Sequence, residues 1–323
     1  MFIQAKKRLA FIFENARWLA LPQSIISCIL AICIGLSCPS FNILFAILAT
    51  LGVISAHLSA NLLDDIFDYI LGKVEVRNKT RNGRTIKCQH ILNKSASITD
   101  FIIWATTFGS IAILIGLFFL YKFGVTVLYF IITGGLLSIF YSAPPLKLSY
   151  RGLGELVIGL MFGPLLVCGV YFVSTGLFSY EAILLSIATG LLATNIVYVH
   201  SIIDTKVDYA CEKQTLATIL KTKPCQIFAL CIFTFCPYII GFIISKILGI
   251  VLLLTLPLAV FLVIIVTNNK RYKILFRQLP QRSWKHILKT ENETFYTRWL
   301  LARNFMTVFV TIICIYYIIK GLV

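Results

Sequence analysis

Apolar runs long enough to cross a lipid bilayer recur along the whole chain, and this limits the fold more than any other feature. In the bilayer core no water reaches backbone N–H and C=O groups. A spanning segment must satisfy them internally, as a helix of about 20 residues or as a strand of about 10 in a closed barrel. The runs here have the helical length. Nine can be drawn, near 18–38, 41–68, 99–121, 124–142, 153–175, 180–203, 224–245, 247–267 and 299–320. With 59% hydrophobic and 13% charged residues over 323 positions, the chain reads as an all-α polytopic membrane protein, one unit over residues 1–323, and not as a soluble fold.

Charge in the connections gives an expected orientation. With the N-terminus in the cytoplasm, 26 of the 29 Lys and Arg fall on that side, leaving Lys122, Lys246 and Lys320 opposite. Basic connections stay cytoplasmic, so the expected topology is N-terminus in and C-terminus out, in the cell membrane. One missed or invented span would scramble this partition, so span count and orientation support each other. The opening MFIQAKKRLAFIFENARW has no long apolar core before a small-residue cleavage site and reads as a retained cytoplasmic or interfacial segment. The net charge of +16 is spread over the connections and not gathered on a compact domain, which argues against nucleic acid as a partner. Ten cysteines, mostly inside apolar runs and without a Cys-x-x-Cys pair, read as small buried hydrophobes.

Against this background the stretch NLLDDIFDYILG, from Asn61 to Gly72, places Asp64, Asp65 and Asp68 at the end of an apolar run. Each carboxylate at a membrane centre costs roughly 2.5 to 3.5 kcal/mol, so the three must meet water or a polar cavity. A second cluster, HSIIDTKVDYACEKQTLATIL, ends the sixth run with Asp204 and Asp208. Runs two and six differ by an even number of crossings, so both clusters emerge on one side. Spacings of three and four put Asp64 or Asp65 with Asp68, and Asp204 with Asp208, on one helical face.

Like charges so placed need a cation. Oxygen-only donors suit Mg²⁺, which takes carboxylates on one side and substrate phosphates on the other. Lys73, Arg77, Lys79, Arg81, Arg84, Lys147, Arg151, Lys206 and Lys213 lie near enough in sequence to meet phosphate oxygens. The pattern describes a site for an amphiphile with a diphosphate head. A single Asp pair at a helix end is ordinarily an interfacial charge, but two clusters at matching ends weigh against that reading. Asp100, at the start of the third run, reads instead as a helix cap.

At these residues the chain resembles the UbiA superfamily of intramembrane prenyltransferases. The family's first motif, Asn-Asp-x-x-Asp-x-x-x-Asp, falls on DDIFDYILG: Asp64 stands at the Asn place, Asp65 and Asp68 match, and Gly72 replaces the last Asp. The branch resembling 1,4-dihydroxy-2-naphthoate polyprenyltransferase shares a Gly there, followed by an acid, for which Glu75, one position late, is the candidate. LPQSIIS resembles the family's opening segment, YSAPPLKLSYRGLGELVIG its signature after span four, and DTKVDYACEKQTLA the second motif of the same branch. Two departures stand out. That branch has Asn-Asn-x-Arg where this chain has His200, Ser201, Ile202 and Ile203, and Glu212 replaces the usual Gly before Lys213.

The resemblance implies a nine-helix bundle around a central cavity, with both motifs at its cytoplasmic end. It implies that Asp65, Asp68, Asp204 and Asp208 hold Mg²⁺ and through it the diphosphate of an allylic polyprenyl donor, with Asp64 in the Asn position. Asn61, one turn back on the same face, Tyr141, Lys147, Arg81, Lys213 and His200 are the expected substrate-binding residues. His200 also reads as a base for the acceptor or as a satisfied polar group, and Tyr141 as an interfacial aromatic. The implied activity is Mg²⁺-dependent prenyl transfer to a small aromatic acceptor, first 1,4-dihydroxy-2-naphthoate in menaquinone biosynthesis, otherwise 4-hydroxybenzoate, haem or a glycerol-phosphate lipid. A transporter, the non-enzyme alternative, predicts ionisable groups through the membrane depth or broken inverted repeats; the acids here collect at one face.

Overall fold

Helices start where something can satisfy or remove their first orphan N–H groups. In the computed structural model, which describes residues 16–17, 20–80, 88–92, 94, 96–267 and 293–322, α1 (Leu21–Gly35) has Pro22 in its first turn. Asn42 caps α2 (Ile43–Ile70), accepting from the Phe45 N–H at 3.1 Å. Gly72, at φ +67°, ends α2 in the left-handed region and turns the chain into α3 (Lys73–Thr80). The position where the family motif has its last Asp is therefore a helix stop here. Ser97 and Asp100 form a reciprocal capping box at the start of α4 (Ile98–Phe123), as expected for Asp100. Then follow α5 (Val125–Phe140), α6 (Gly154–Thr175), α7 (Tyr180–Ala210, capped by Ser179), α8 (Lys223–Ile244), α9 (Lys246–Thr267) and α10 (Glu293–Leu322).

Each of the nine apolar runs coincides with a helix. Seven, α2, α4 and α6 to α10, are long and apolar enough to cross a membrane, while α1 and α5, at 15 and 16 residues, are shorter. No strand occurs among the described residues, only one isolated bridge between Arg151 and Gln214. Two spans are irregular. Pro164 lacks an N–H, and residues Met161–Cys168 of α6 form a π-helical stretch around it. In α9 a 3-10 turn at Leu253–Thr255 precedes Pro257.

At the centre of the bundle, α7 packs against α6, α8 and α10, and α2 pairs with α4. Where α6 crosses α7 the backbones touch: a Cβ on Gly163 would lie 2.6 Å from the Gly190 Cα, and one on Gly190 2.6 Å from the Gly159 carbonyl oxygen. Only glycine permits that approach, the usual device where helices associate without a hydrophobic driving force. By contrast α4 and α5 expose long rows of apolar side chains, Ile103, Leu114, Leu117, Tyr129 and Leu136 among them. A surface of that kind suits lipid and not water. Cys28, Cys33, Cys88, Cys211 and Cys314 are buried and unbridged.

Candidate active site

The C-terminal turns of α2 carry the first acidic cluster, and its members are sorted by their partners. Asp64 accepts from the Ser142 hydroxyl at 2.5 Å and from the Arg17 guanidinium at 2.8 Å. Arg17 also reaches Asp65 at 3.4 Å and donates to the Asn61 carbonyl at 2.9 Å. Burial opposes the charge on Arg17, but the Asp65 and Asp64 carboxylates outweigh it and raise its pKa. Asp65 accepts from the Cys88 N–H at 3.4 Å, and Asp68 from the Tyr150 hydroxyl at 2.7 Å. Burial first and the Asp68 charge second push the Tyr150 phenol up, so it stays a donor.

The second cluster, at the end of α7, faces an arginine from α3. Arg77 donates to Asp208 at 2.9 Å and lies 3.6 Å from Asp204. Burial again opposes its charge, and Asp208 and Asp204 outweigh burial and raise its pKa. Outside this pair Lys73 meets Glu212 at 2.7 Å, and that bond holds the exposed Glu212 carboxyl below its usual range. Glu212 sits at φ +54°, a left-handed conformation costing a non-glycine residue on the order of 1 kcal/mol. A glycine would hold this conformation without that cost.

Both clusters open on one cavity of about 870 Å³. Asn61, Asp64, Arg77, Asp204, Asp208 and Lys213 form its polar end. The remainder is mostly apolar, walled by side chains such as Phe119, Phe130, Ile131, Phe162 and Leu166, the last two from the π-helical stretch of α6, with Ser24 and His57 among the polar exceptions. Tyr141 and His200 line the wall as well; the His200 ring lies parallel to Trp299, centroids 6.0 Å apart, and the Arg303 guanidinium covers Trp299 at 4.9 Å. Lys213 lies over the Tyr150 ring at 5.2 Å.

Not every expected residue meets the cavity. Asp65 and Asp68 are buried and do not line it, Lys147 sits in the turn before the short helix Leu148–Tyr150, and Glu75 is exposed on α3. Arg81 and Arg84, with most of the opening segment, lie outside the described residues. Residues that spacing did not single out complete the site: Arg17, Ser142, Tyr150, Glu155, Ser201 and Trp299. Of these only Glu155 carried a visible signal, an acid inside an apolar run, where charge is expensive.

Chemically the donor set fits a hard dication. Asp64, Asp204 and Asp208 line one end of the cavity, and Asp65 and Asp68 are buried on the same turns of α2, an oxygen donor set of the kind Mg²⁺ prefers. Among the described residues no three His, Cys, Asp or Glu gather on a single point. Arg17 and Arg77 offset part of the negative charge of the clusters, one each. A polar, cation-rich end on an apolar chamber suits a ligand with an anionic head and a long hydrocarbon tail.

Comparison with known proteins agrees with this shape. The model of a family described as the UbiA prenyltransferase family matches residues 24–277. "UbiA prenyltransferase domain-containing protein 1" of Xenopus tropicalis is 27% identical over 250 residues, 76% of this chain and 69% of its own length. "2-carboxy-1,4-naphthoquinone phytyltransferase" of a Synechocystis species is 31% identical over 83 residues, 26% of this chain and 27% of its own. A solved structure described as a UbiA homolog from Archaeoglobus fulgidus bound to GPP and Mg²⁺ superposes with a TM-score of 0.55 at 15% identity, covering 94% of this chain and 99% of that one. At that identity the likeness concerns the fold.

Proposed function

The chain belongs to the UbiA prenyltransferase family, and from that premise we propose that it transfers a polyprenyl group from an allylic polyprenyl diphosphate to 1,4-dihydroxy-2-naphthoate, at the two acidic clusters and with Mg²⁺. The observation that carries this reading is the joining of two carboxylate faces, each paired with an arginine, to one end of a largely apolar chamber. The Archaeoglobus homologue described with GPP and Mg²⁺ supports the donor class and the ion, and the short stretch shared with the Synechocystis naphthoquinone enzyme supports the acceptor.

In this reading Asp65, Asp68, Asp204 and Asp208 would hold Mg²⁺, and its charge, once bound, would stabilise the departing diphosphate. Arg77 and Lys213 stand at the same end to meet diphosphate oxygens. As the allylic C–O bond breaks, the electron pair leaves with the diphosphate and a delocalised cation remains on the chain. Water would trap that cation as an alcohol, and the helix walls exclude it. Faces of Phe162, Tyr141 and Trp299 in the wall offer π density to the cation. An acceptor ring carbon activated by its adjacent oxygen forms the new C–C bond and loses its proton, for which His200 on the wall is the candidate base.

We place the N-terminus and both clusters in the cytoplasm and the C-terminus outside, on the distribution of Lys and Arg, and treat residues 1–323 as one domain. One observation favours a second reading with another acceptor, 4-hydroxybenzoate, haem or a glycerol-phosphate lipid: His200 to Ile203 stand where the naphthoate branch has Asn-Asn-x-Arg. The deciding experiment incubates membranes containing the protein with a labelled polyprenyl diphosphate and these acceptors in parallel. A prenylated dihydroxynaphthoate, or the prenylated naphthoquinol left when its carboxylate departs as CO2, is the expected product. Transfer to another acceptor alone changes the substrate, and no transfer to any of them defeats the proposal.

A further inference from the structure

The segment between α5 and α6 touches both acidic clusters. Tyr150 donates to Asp68 at 2.7 Å. Just beyond it the backbone pairs with the loop after α7, Gly152 N–H to the Gln214 carbonyl at 2.8 Å and Gln214 N–H to the Tyr150 carbonyl at 3.2 Å. Glu155 then enters the first turn of α6 with only 2% of its surface exposed. Its carboxylate accepts from the Ser201 hydroxyl at 2.5 Å and from the Leu216 N–H at 3.1 Å. Ser201 is one helical turn before Asp204, and Leu216 is three residues after Lys213. Ser201, Asp204 and Lys213 all line the cavity, whereas Glu155 lies behind them.

A carboxylate buried at the edge of an apolar run costs several kcal/mol unless its oxygens are satisfied. Here two donors from two different elements share its Oε1, so those elements cannot move independently without breaking a bond to a buried carboxylate. Resting on the function proposed above, we propose that Glu155 is a positioning residue. It fixes the turn of α7 bearing Asp204 and the loop bearing Lys213 against the strut whose other end, Tyr150, holds Asp68. The spacing between the clusters, and with it the grip on the diphosphate head, is set by that strut. Glu155 itself meets no reacting atom.

The test uses the full chain in lipid nanodiscs, with Glu155→Gln, which keeps the shape and removes the charge, and Glu155→Asp, which keeps the charge and shortens the reach. Four quantities are read: Mn²⁺ affinity by electron paramagnetic resonance without substrate, donor KM, acceptor KM, and the thermal unfolding midpoint. Partners standing behind metal ligands typically matter 10- to 100-fold, so Glu155→Gln should weaken Mn²⁺ binding and raise donor KM about tenfold, with acceptor KM changed less than about twofold, and Glu155→Asp should recover part of the loss. Wild-type Mn²⁺ affinity and donor KM in Glu155→Gln overturn the inference. So does a collapse of both KM values together with the unfolding midpoint, which marks a general brace. Should Glu155→Gln not reach the membrane, Ser201→Ala, which removes one donor only, decides by the same two readouts, and wild-type values there overturn it. Wild-type protein that binds no Mn²⁺ defeats the proposed function as well; wild-type binding with Glu155→Gln unaffected defeats the positioning role alone.

Discussion

Arg77 on α3 donates to the Asp208 carboxylate on α7 at 2.9 Å, across 131 positions of sequence. Because α3 begins only five residues after Asp68, this one bond brings the segment trailing the first acidic cluster onto the second. The two clusters are thereby tied at both edges, by Arg77 here and by the Tyr150 to Glu155 strut on the other side.

The pair should show coupling. Both side chains are largely buried, about 10% and 5% exposed, and removing one partner of a buried ion pair costs about 3–5 kcal/mol because the other charge is left unpaired. Arg77→Gln is expected to destabilise the protein by about 3 kcal/mol, and adding Asp208→Asn to recover at least about 1 kcal/mol of it. Donor turnover stays low in both variants, since each loses a group at the diphosphate end. Denaturation of the two single variants, the double variant and the wild type in detergent checks this, and strictly additive losses would show that the pair is not coupled.

Orientation can be read from a native cysteine. Cys225 is exposed in the first turn of α8, which opens with Lys223 just past the connection that carries Lys213 and Lys221. If basic connections face the cytoplasm, a membrane-impermeant maleimide labels Cys225 in inverted vesicles and spares it in right-side-out ones. Labelling in the right-side-out preparation alone would reverse the topology.

What the sequence made legible follows from what membrane physics makes local. Among the described residues a helix stands on each of the nine apolar runs, because burial in lipid and internal hydrogen bonding are decided by the run itself. The two Asp clusters were equally visible, since charge at the end of such a run demands a reason. Which acids face the cavity was not visible. Asp64 lines it while Asp65 and Asp68 are buried and do not, and that sorting depends on Ser142, Arg17 and Tyr150, residues 47 to 82 positions away whose roles no spacing rule encodes. The departures at Gly72 and Glu212 are backbone facts: one ends a helix at positive φ, and the other bears a positive φ while its side chain pairs with Lys73.

The apolar end of the cavity should select donor length. Gly134 and Gly135 on α5 line the cavity, and a Cβ added at either meets no atom within 4 Å. A larger side chain there narrows the chamber without forcing the helices apart. Gly134→Leu or Gly135→Leu is expected to raise KM for the longest accepted donor about tenfold relative to a short one, the scale on which apolar pockets discriminate by size. Equal effects on short and long donors would place the tail elsewhere.

The sharpest prediction separates metal-holding carboxylates from interfacial charge. Asp68→Asn and Asp204→Asn each remove one negative charge with almost no change in size, and an amide oxygen can still accept the Tyr150 hydroxyl at position 68. Folding and insertion should survive. Turnover should fall at least about a hundredfold in each, the effect of removing one strong transition-state stabiliser, and exhaustive chelation should abolish wild-type turnover until Mg²⁺ is restored. Asp100→Asn is the control, because Asp100 serves only the capping box with Ser97 at the start of α4, where a weakened cap costs about 1 kcal/mol of stability and leaves turnover intact. Near wild-type turnover of both site variants at limiting Mg²⁺, with normal expression, would make the clusters interfacial charge and remove the chemical centre of the proposed reaction.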